Sequence, residues 1–374
     1  MQASNGIPFN DLSRTPSDVR AEIDAALARV LASGWFMLGP ENEAFQAELA
    51  AYLGVSEVVP LANGTDALEL ALAAVGVVPG DFVVTVANAG AYGTIATRLL
   101  EAVPVYAEID ETTLLPTADS VRTAIESAPE KPKAIIVTHL YGAMAPVVEI
   151  VAVAREHGIA VVEDCAQSLG AWRDGRAAGT FGDIATTSFY PTKNLGALGD
   201  AGAVYTNDAD LAERVRRLRQ YGWDSKYHIA FDHGRNSRMD ELQAAILRVK
   251  LPYLDEWNER RRQVHARYQA ASSPAARVVN SASESFIGHL AALVTPDREG
   301  FRAAMRDAGI GTDVHYPIPD HRQDFPTAAA HDVSLPVTER ISVQVVSVPL
   351  FPELTESEID RIATALADYG SANG

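Results

Sequence analysis

The 374 residues predict an α/β fold: a mostly parallel sheet covered by helices on both faces, followed by a smaller C-terminal α/β unit. Two observations carry this. Short, strongly apolar runs such as VVTV and AIIVT alternate with helix-periodic segments, the pattern of a sheet buried on both sides. After residue 250 the alternation continues but loosens, which places the first unit at 1–250, with residues 1–15 as an N-terminal arm, and the second at 251–374.

Taken in order, 18–33 (DVRAEIDAALARVLAS) has helical periodicity, and after the turn-like GPENEAF a second helix runs to about Leu53. SEVVPLANG is a strand entering a loop, and TDALELALAAVGV is a helix of good formers. DFVVTVAN and VPVYAEID are strands around a helix near 92–102. KAIIVTHLYG is a strand, VVEIVAVAREHG a helix, and IAVVEDCAQSLG a strand ending in a loop. DIATTSFY and GAVYTND form a strand pair flanking Lys193. Residues 239–271 are the longest helical stretch, which Pro252 kinks or breaks. FIGHLAALVT, REGFRAAMRDAGI, VQVVSVPLF and ESEIDRIATALADYG supply the strands and helices of the second unit.

Acids outnumber bases 49 to 31, a net charge of −18, which argues against nonspecific binding to nucleic acid or to anionic membranes. The single cysteine, Cys165, excludes an internal disulfide and a cysteine-based zinc site within one chain, and no metal is expected. The first residues lack a basic and apolar leader, no apolar run approaches membrane-spanning length, and a cytoplasmic protein is expected.

Ligands of parallel α/β sheets sit at the carboxyl ends of the strands, and four loops there carry unusual residues. In 62-ANGTDALEL-70 a Gly-Thr pair opens a helix, either as a phosphate seat or as an ordinary cap made by Asn63 or Thr65. Asp164 ends an apolar strand, where a carboxylate is costly without a cationic partner, and Gln167 follows three residues on: a pair facing a ligand, or loop residues hydrogen-bonded to backbone. Tyr92 opens a helix in a small-residue loop, for stacking on a planar ligand or for core packing. In 188-SFYPTKNLGALGDAGAV-204, Lys193 stands among aromatic, glycine and aliphatic residues with no adjacent acid: a surface-loop lysine, or an amine of depressed pKa. Together these are the parts needed to hold pyridoxal phosphate: a phosphate seat, a carboxylate for the pyridine nitrogen, a stacking ring and a Schiff-base lysine.

NGTDALELAL, THLYG, EDCAQSLGA, FGD, PTKNLGALGD, RQYG, NSRMDELQAAILRVKL, HYPIPDH and VPLFP resemble blocks of the DegT/DnrJ/EryC1/StrS family of sugar aminotransferases, and the resemblance spans nearly the whole chain. It implies a fold-type I aminotransferase with a seven-stranded sheet in the large domain, and pyridoxal 5'-phosphate as cofactor, passing through the pyridoxamine form. It further implies that Lys193 carries the Schiff base, that Asp164 pairs with the pyridine nitrogen and that Gln167 lies near the phenolic oxygen. Gly64, Thr65, Asp66 and Ser188 would meet the phosphate and Tyr92 the ring. Asn236 matches an asparagine that members donate to the phosphate across a homodimer. His315 and Tyr316 match a segment that reaches the site in relatives, or are a loop histidine and a packed tyrosine. Lys226 and Arg238 are candidates for the donor carboxylate or the sugar diphosphate, or are solvated charges; His139 reads as a structural loop histidine.

The family's substrates are nucleotide-linked keto-sugars and glutamate, and the segments YGW…KY and LRVKL…LDEW look closer to enzymes that aminate C3 of dTDP-hexoses than to those that aminate C4. Leu169 stands where many relatives have histidine, and GDAGAV replaces the more usual GDGGAV. A keto-sugar dehydratase is disfavoured by Lys193, a cysteine desulfurase by the position of Cys165, and a non-enzymatic regulator that keeps the fold and cofactor by the lack of an added DNA-binding module and by the charge. A nicotinamide dehydrogenase is excluded by the lack of a GxGxxG after an early strand.

Overall fold

The computed structural model describes residues 6–279, 283–325 and 333–373. Its centre is a seven-stranded sheet of β1 (Glu57–Leu61), β2 (Phe82–Val86), β3 (Val103–Ala107), β4 (Ala134–Thr138), β5 (Ala160–Asp164), β6 (Ile184–Ser188) and β7 (Gly202–Thr206), in the order β1-β7-β6-β5-β4-β2-β3. Five strands from β6 to β3 pair in parallel; β7 runs against both neighbours, β6 and β1. An antiparallel neighbour needs no helical crossover. The chain therefore passes from β6 to β7 through one irregular loop, 189–201, and that loop carries Lys193.

Side chains alternate across the sheet: Val84, Ile135 and Val161 face one core, and Val83, Ile136 and Val162 the other. The first core is closed by α2 (Pro40–Leu53), α5 (Ala118–Ser127) and α6 (Val147–His157). The second is closed by α3 (Gly64–Ala74), α4 (Tyr92–Leu99) and α7 (Ala209–Leu218). Both faces are covered, which is why the strands read as apolar runs. The helices α5 and α7 were not assigned from sequence. Each is fixed by its cap: Thr117 and Ser120 form a reciprocal capping box, and Asp208 accepts from the N–H groups of Asp210 and Leu211.

α1 (Ser17–Ser33) packs on α8 (Glu241–Lys250), and the expected interruption follows: a 3₁₀ turn over Leu251–Tyr253 contains Pro252, and α9 (Leu254–Ala270) then continues. Beyond it, β8 (Arg277–Val278), β9 (Ala291–Val294) and β10 (Val345–Val348) make an antiparallel sheet. It shares a core with α9, α10 (Arg298–Asp307) and α12 (Glu356–Asn373); α11 (Pro336–Gln344), also unassigned from sequence, precedes β10. The N-terminal arm, counted with the first unit in the sequence reading, packs on the second. Ile7 is buried in the C-terminal core and exchanges backbone hydrogen bonds with Gly309 and Gly311, and Arg14 pairs with Glu358 at 2.8 Å. An apolar residue in the arm finds its nearest dry surface there. Among the described residues no helix is long and apolar enough to cross a membrane.

Candidate active site

The carboxyl ends of β4, β5 and β6, the N-termini of α3 and α4, and segments from the C-terminal half enclose a cavity of about 440 Å³. At α3, Asn63 is the cap: its Oδ1 accepts the N–H of Asp66 at 2.8 Å. That leaves Gly64 and Thr65, both on the cavity wall, with N–H groups that have no protein acceptor among the described residues. Cap and anion seat are thus the same structure. Gly64 has no room for a side chain, since a Cβ would stand 2.6 Å from Cβ of Ser188, which also faces the cavity. Asp66 is not on the wall. Its N–H is spent on the cap, and its carboxylate pairs with Arg235 at 3.3 Å, a guanidinium shared with buried Glu69.

Asp164 is 7% exposed and takes one hydrogen bond, from the N–H of Ala166 to Oδ1 at 3.0 Å; Oδ2 has no protein partner among the described residues. Desolvation raises its pKa, against the Ala166 bond and the charge of Lys193. Lys193 lies in a turn after β6 with its amine on the cavity, where desolvation lowers its pKa to about 8 against the pull of Asp164. Gln167 is held at both ends: Oε1 accepts the N–H of Tyr141 at 2.7 Å, and Nε2 donates to the hydroxyl of Tyr316 at 3.1 Å.

Tyr92 is 47% exposed, opening on the cavity rather than packed in the core. Its backbone is set by Ala91, left-handed at φ 65°, and by Asp320, whose buried carboxylate accepts the Ala91 N–H at 2.9 Å and the Thr94 hydroxyl at 2.7 Å. Tyr316 meets the Tyr92 ring edge-on at 6.4 Å, and the preceding Gly90 is fitted to it, a Cβ there lying 2.8 Å from the Tyr316 ring. His315 lines the cavity, stacks on Phe9 and shares a 3.1 Å hydrogen bond with Ser347.

Besides Asp66, the candidates Asn236, Arg238 and Lys226 are not brought to the cavity of the single chain. Asn236 is exposed and accepts from Arg238 at 2.9 Å, and Lys226 is exposed beside the ring of Tyr227. Conversely, sequence reasoning missed Asp320, which steers α4 from a distant turn, and His289, which lines the cavity although FIGHLAALVT read as strand. His139 is structural: Nε2 meets Glu163 at 2.9 Å and Nδ1 accepts the N–H of Ala145 at 3.0 Å. His139, Glu163 and Cys165 bring three ligand-type atoms together, but both imidazole nitrogens are engaged, and Glu163 also accepts from the N–H groups of Gly179, Phe181 and Gly182.

This donor set fits a phosphorylated pyridine. Two free helix-terminal N–H groups and a serine suit a phosphate, an open buried carboxylate suits a protonated ring nitrogen, an exposed tyrosine suits the ring face, and a low-pKa amine suits its carbonyl. The sequence profile of the DegT/DnrJ/EryC1/StrS aminotransferase family matches residues 17–367. The dTDP-3-amino-3,4,6-trideoxy-alpha-D-glucose transaminase of Streptomyces venezuelae is 40% identical over 97% of this chain and 96% of its own. S. venezuelae DesV, solved in complex with a ketimine intermediate, superposes with a TM-score of 0.92 at 39% identity, covering 98% of each chain. The Bacillus subtilis protein ntda, solved with bound cofactor PMP, does so at 0.91 and 31%, covering 99% of this chain and 86% of that one. This chain belongs to the DegT/DnrJ/EryC1/StrS aminotransferase family and is a pyridoxal-phosphate-dependent sugar aminotransferase.

Proposed function

We propose that the protein transfers the amino group of glutamate to C3 of a dTDP-linked keto-6-deoxyhexose, in amino-sugar biosynthesis. The observation that carries the site assignment is the convergence on one cavity of Lys193, Asp164, Gln167, Tyr92, Ser188 and the free amides of Gly64 and Thr65. The C3 and dTDP choices are supported by the 40% identity to a dTDP-3-amino-sugar transaminase and by the YGW…KY and LRVKL…LDEW segments.

In this reading Gly64, Thr65 and Ser188 bind the cofactor phosphate at the positive end of α3. Asp164, buried with its pKa raised and one oxygen open, would hold a proton at the pyridine nitrogen of the bound cofactor. Gln167, its amide orientation fixed by Tyr141, offers Nε2 on the cavity wall beside Tyr316, and Tyr92 covers the ring. The bound cofactor supplies a carbonyl-derived electrophile and an electron sink for the carbon that loses its proton. Lys193 Nζ takes and returns that proton; with a pKa of about 8, half of its amines are neutral near pH 8, free to act as base or nucleophile. His315 and Tyr316 border the sugar, and Arg238 and Lys226 act on anionic groups. Residues 1–250 are the cofactor-binding unit, and 251–374 add His289, His315 and Tyr316 to the cavity wall. Asn236 is exposed and off the cavity, as befits a residue that completes the phosphate site of a second copy in a homodimer.

The test is a set of single-half-reaction spectra. Cofactor-loaded enzyme is converted with glutamate and then offered dTDP-3-keto-6-deoxyglucose, its 4-keto isomer, or UDP-linked counterparts. Return of the visible cofactor band with the dTDP-3-keto sugar alone is expected. Return with the 4-keto isomer would move the reaction to C4, and return with UDP-sugars alone would change the nucleotide.

A further inference from the structure

Next to Lys193 in the chain, Asn194 turns its side chain into a buried polar network. Its Nδ2 lies 3.2 Å from the carbonyl oxygen of Ile287 and 2.7 Å from Oδ1 of Asn258. A carbonyl only accepts, so the amide atom facing Ile287 is the nitrogen, and Oδ1 is the atom that lies 2.9 Å from Nδ1 of His289. Oδ1 in turn only accepts, so the hydrogen of His289 sits on Nδ1. In a ring that carries one proton, Nε2 is then bare. A second proton is opposed: burial pushes the imidazole pKa well below its ordinary value, with the charges of Lys193 and Arg261 acting in the same direction.

The ring belongs to the wall of the active cavity. His289 lines that cavity and is 6% exposed, Nε2 has no protein partner among the described residues, and it is absent from the polar atoms sealed without a partner. Asn194, Asn258 and Ile287 fix the ring, so the lone pair cannot turn away without breaking a buried network.

We propose that His289 is a preset hydrogen-bond acceptor on the cavity wall, which takes an O–H or N–H from the substrate and turns away carbonyl and carboxylate oxygens. The inference rests on the proposed reaction for what fills the cavity. The donor group is a hydroxyl of the sugar or the amine of the amino-acid donor, and the two half-reactions separate these sources.

The experiment has two parts. Long-range ¹H–¹⁵N correlation spectra of histidine-labelled protein, with His289 assigned by its loss in His289→Leu, read the tautomer directly in the unliganded chain. A protonated Nδ1 and bare Nε2 are expected; a proton on Nε2 overturns the proposal. The half-reactions are then timed in His289→Leu, which removes the acceptor, and in His289→Gln, whose Oε1 can replace it. A loss of ~10-fold or more confined to the sugar half-reaction assigns the hydroxyl, and the same loss confined to the glutamate half-reaction assigns the amine; in each case His289→Gln restores most of the rate. Unchanged rates in both, or equal losses without rescue, overturn it. If His289→Leu does not fold, His289→Gln assigns the resonance and the tautomer decides. If wild-type protein processes neither substrate, the proposed reaction has failed, while the tautomer of His289 still stands or falls on its own spectrum.

Discussion

The two carboxylates that end β5 are neighbours in sequence and both buried, yet they differ in what meets them. Glu163 is fully buried and receives His139 and three backbone N–H groups, so both of its oxygens are occupied. Burial pushes its pKa up, but these donors outweigh that, and the group is held below its ordinary value. Asp164, on the opposite face of the strand, has a single backbone donor, and burial leaves its pKa raised. A saturated carboxylate is part of the scaffold. An unsaturated one, buried and open to a cavity, keeps an oxygen available to a cation.

This contrast can be broken by paired substitutions. Asp164→Asn keeps an oxygen for the Ala166 N–H and removes the charge. Turnover is expected to fall on the order of 10²–10⁴-fold with the denaturation midpoint nearly unchanged; equal activity would remove Asp164 from the mechanism. Glu163→Ala leaves His139 and three backbone donors buried without an acceptor. A loss of about 3–5 kcal/mol in urea unfolding is expected, and a marginal loss would mean that water replaces the carboxylate. Gly64→Ala drives a methyl group into Ser188. It should cost about 1–3 kcal/mol of stability and weaken cofactor binding in a fluorescence titration, whereas unchanged binding would place the phosphate elsewhere.

The smallest expected effect concerns pH. The stabilisation from Glu163, whose folded pKa is depressed, is complete above its unfolded value of 4.5 and is lost as pH falls through the lower folded value. Asp320 has the opposite sign. Burial lifts it from 3.8 to about 6, so the folded state binds the extra proton between those values, and stability falls as pH rises through that window. Asp320→Asn keeps acceptors and donors for Ala91 and Thr94. It is expected to flatten the slope between pH 4 and 6 while changing stability at pH 5 by within about 1 kcal/mol; an unaltered slope would show that Asp320 titrates normally.

Much of the fold could be read in the sequence because a sheet covered on both faces demands continuous apolar strands, and the runs around Val84, Ile135 and Val162 supply them. The ends of β1, β2, β5 and β6 and the loops after them pointed to Gly64, Tyr92, Asp164, Gln167, Ser188 and Lys193, all of which the structure brings to one cavity. The helices α5, α7 and α11, of 9 or 10 residues, were not read from the sequence. Asp320 and His289 were illegible for a physical reason. Their roles come from groups 229 and 95 residues away, Ala91 and Asn194, and no local pattern encodes such a meeting. Asp66 misled because a phosphate seat and an N-cap use the same residue types, and only geometry shows that Asn63 has already taken its N–H.

In the proposed reaction everything turns on Lys193 as the amine that binds the cofactor. Borohydride reduction of the loaded enzyme, followed by proteolysis and peptide mass spectrometry, tests it most directly. A phosphopyridoxyl adduct is expected on the peptide bearing Lys193, absent in Lys193→Ala. An adduct on another lysine, or none on protein that shows the visible cofactor band, would contradict it.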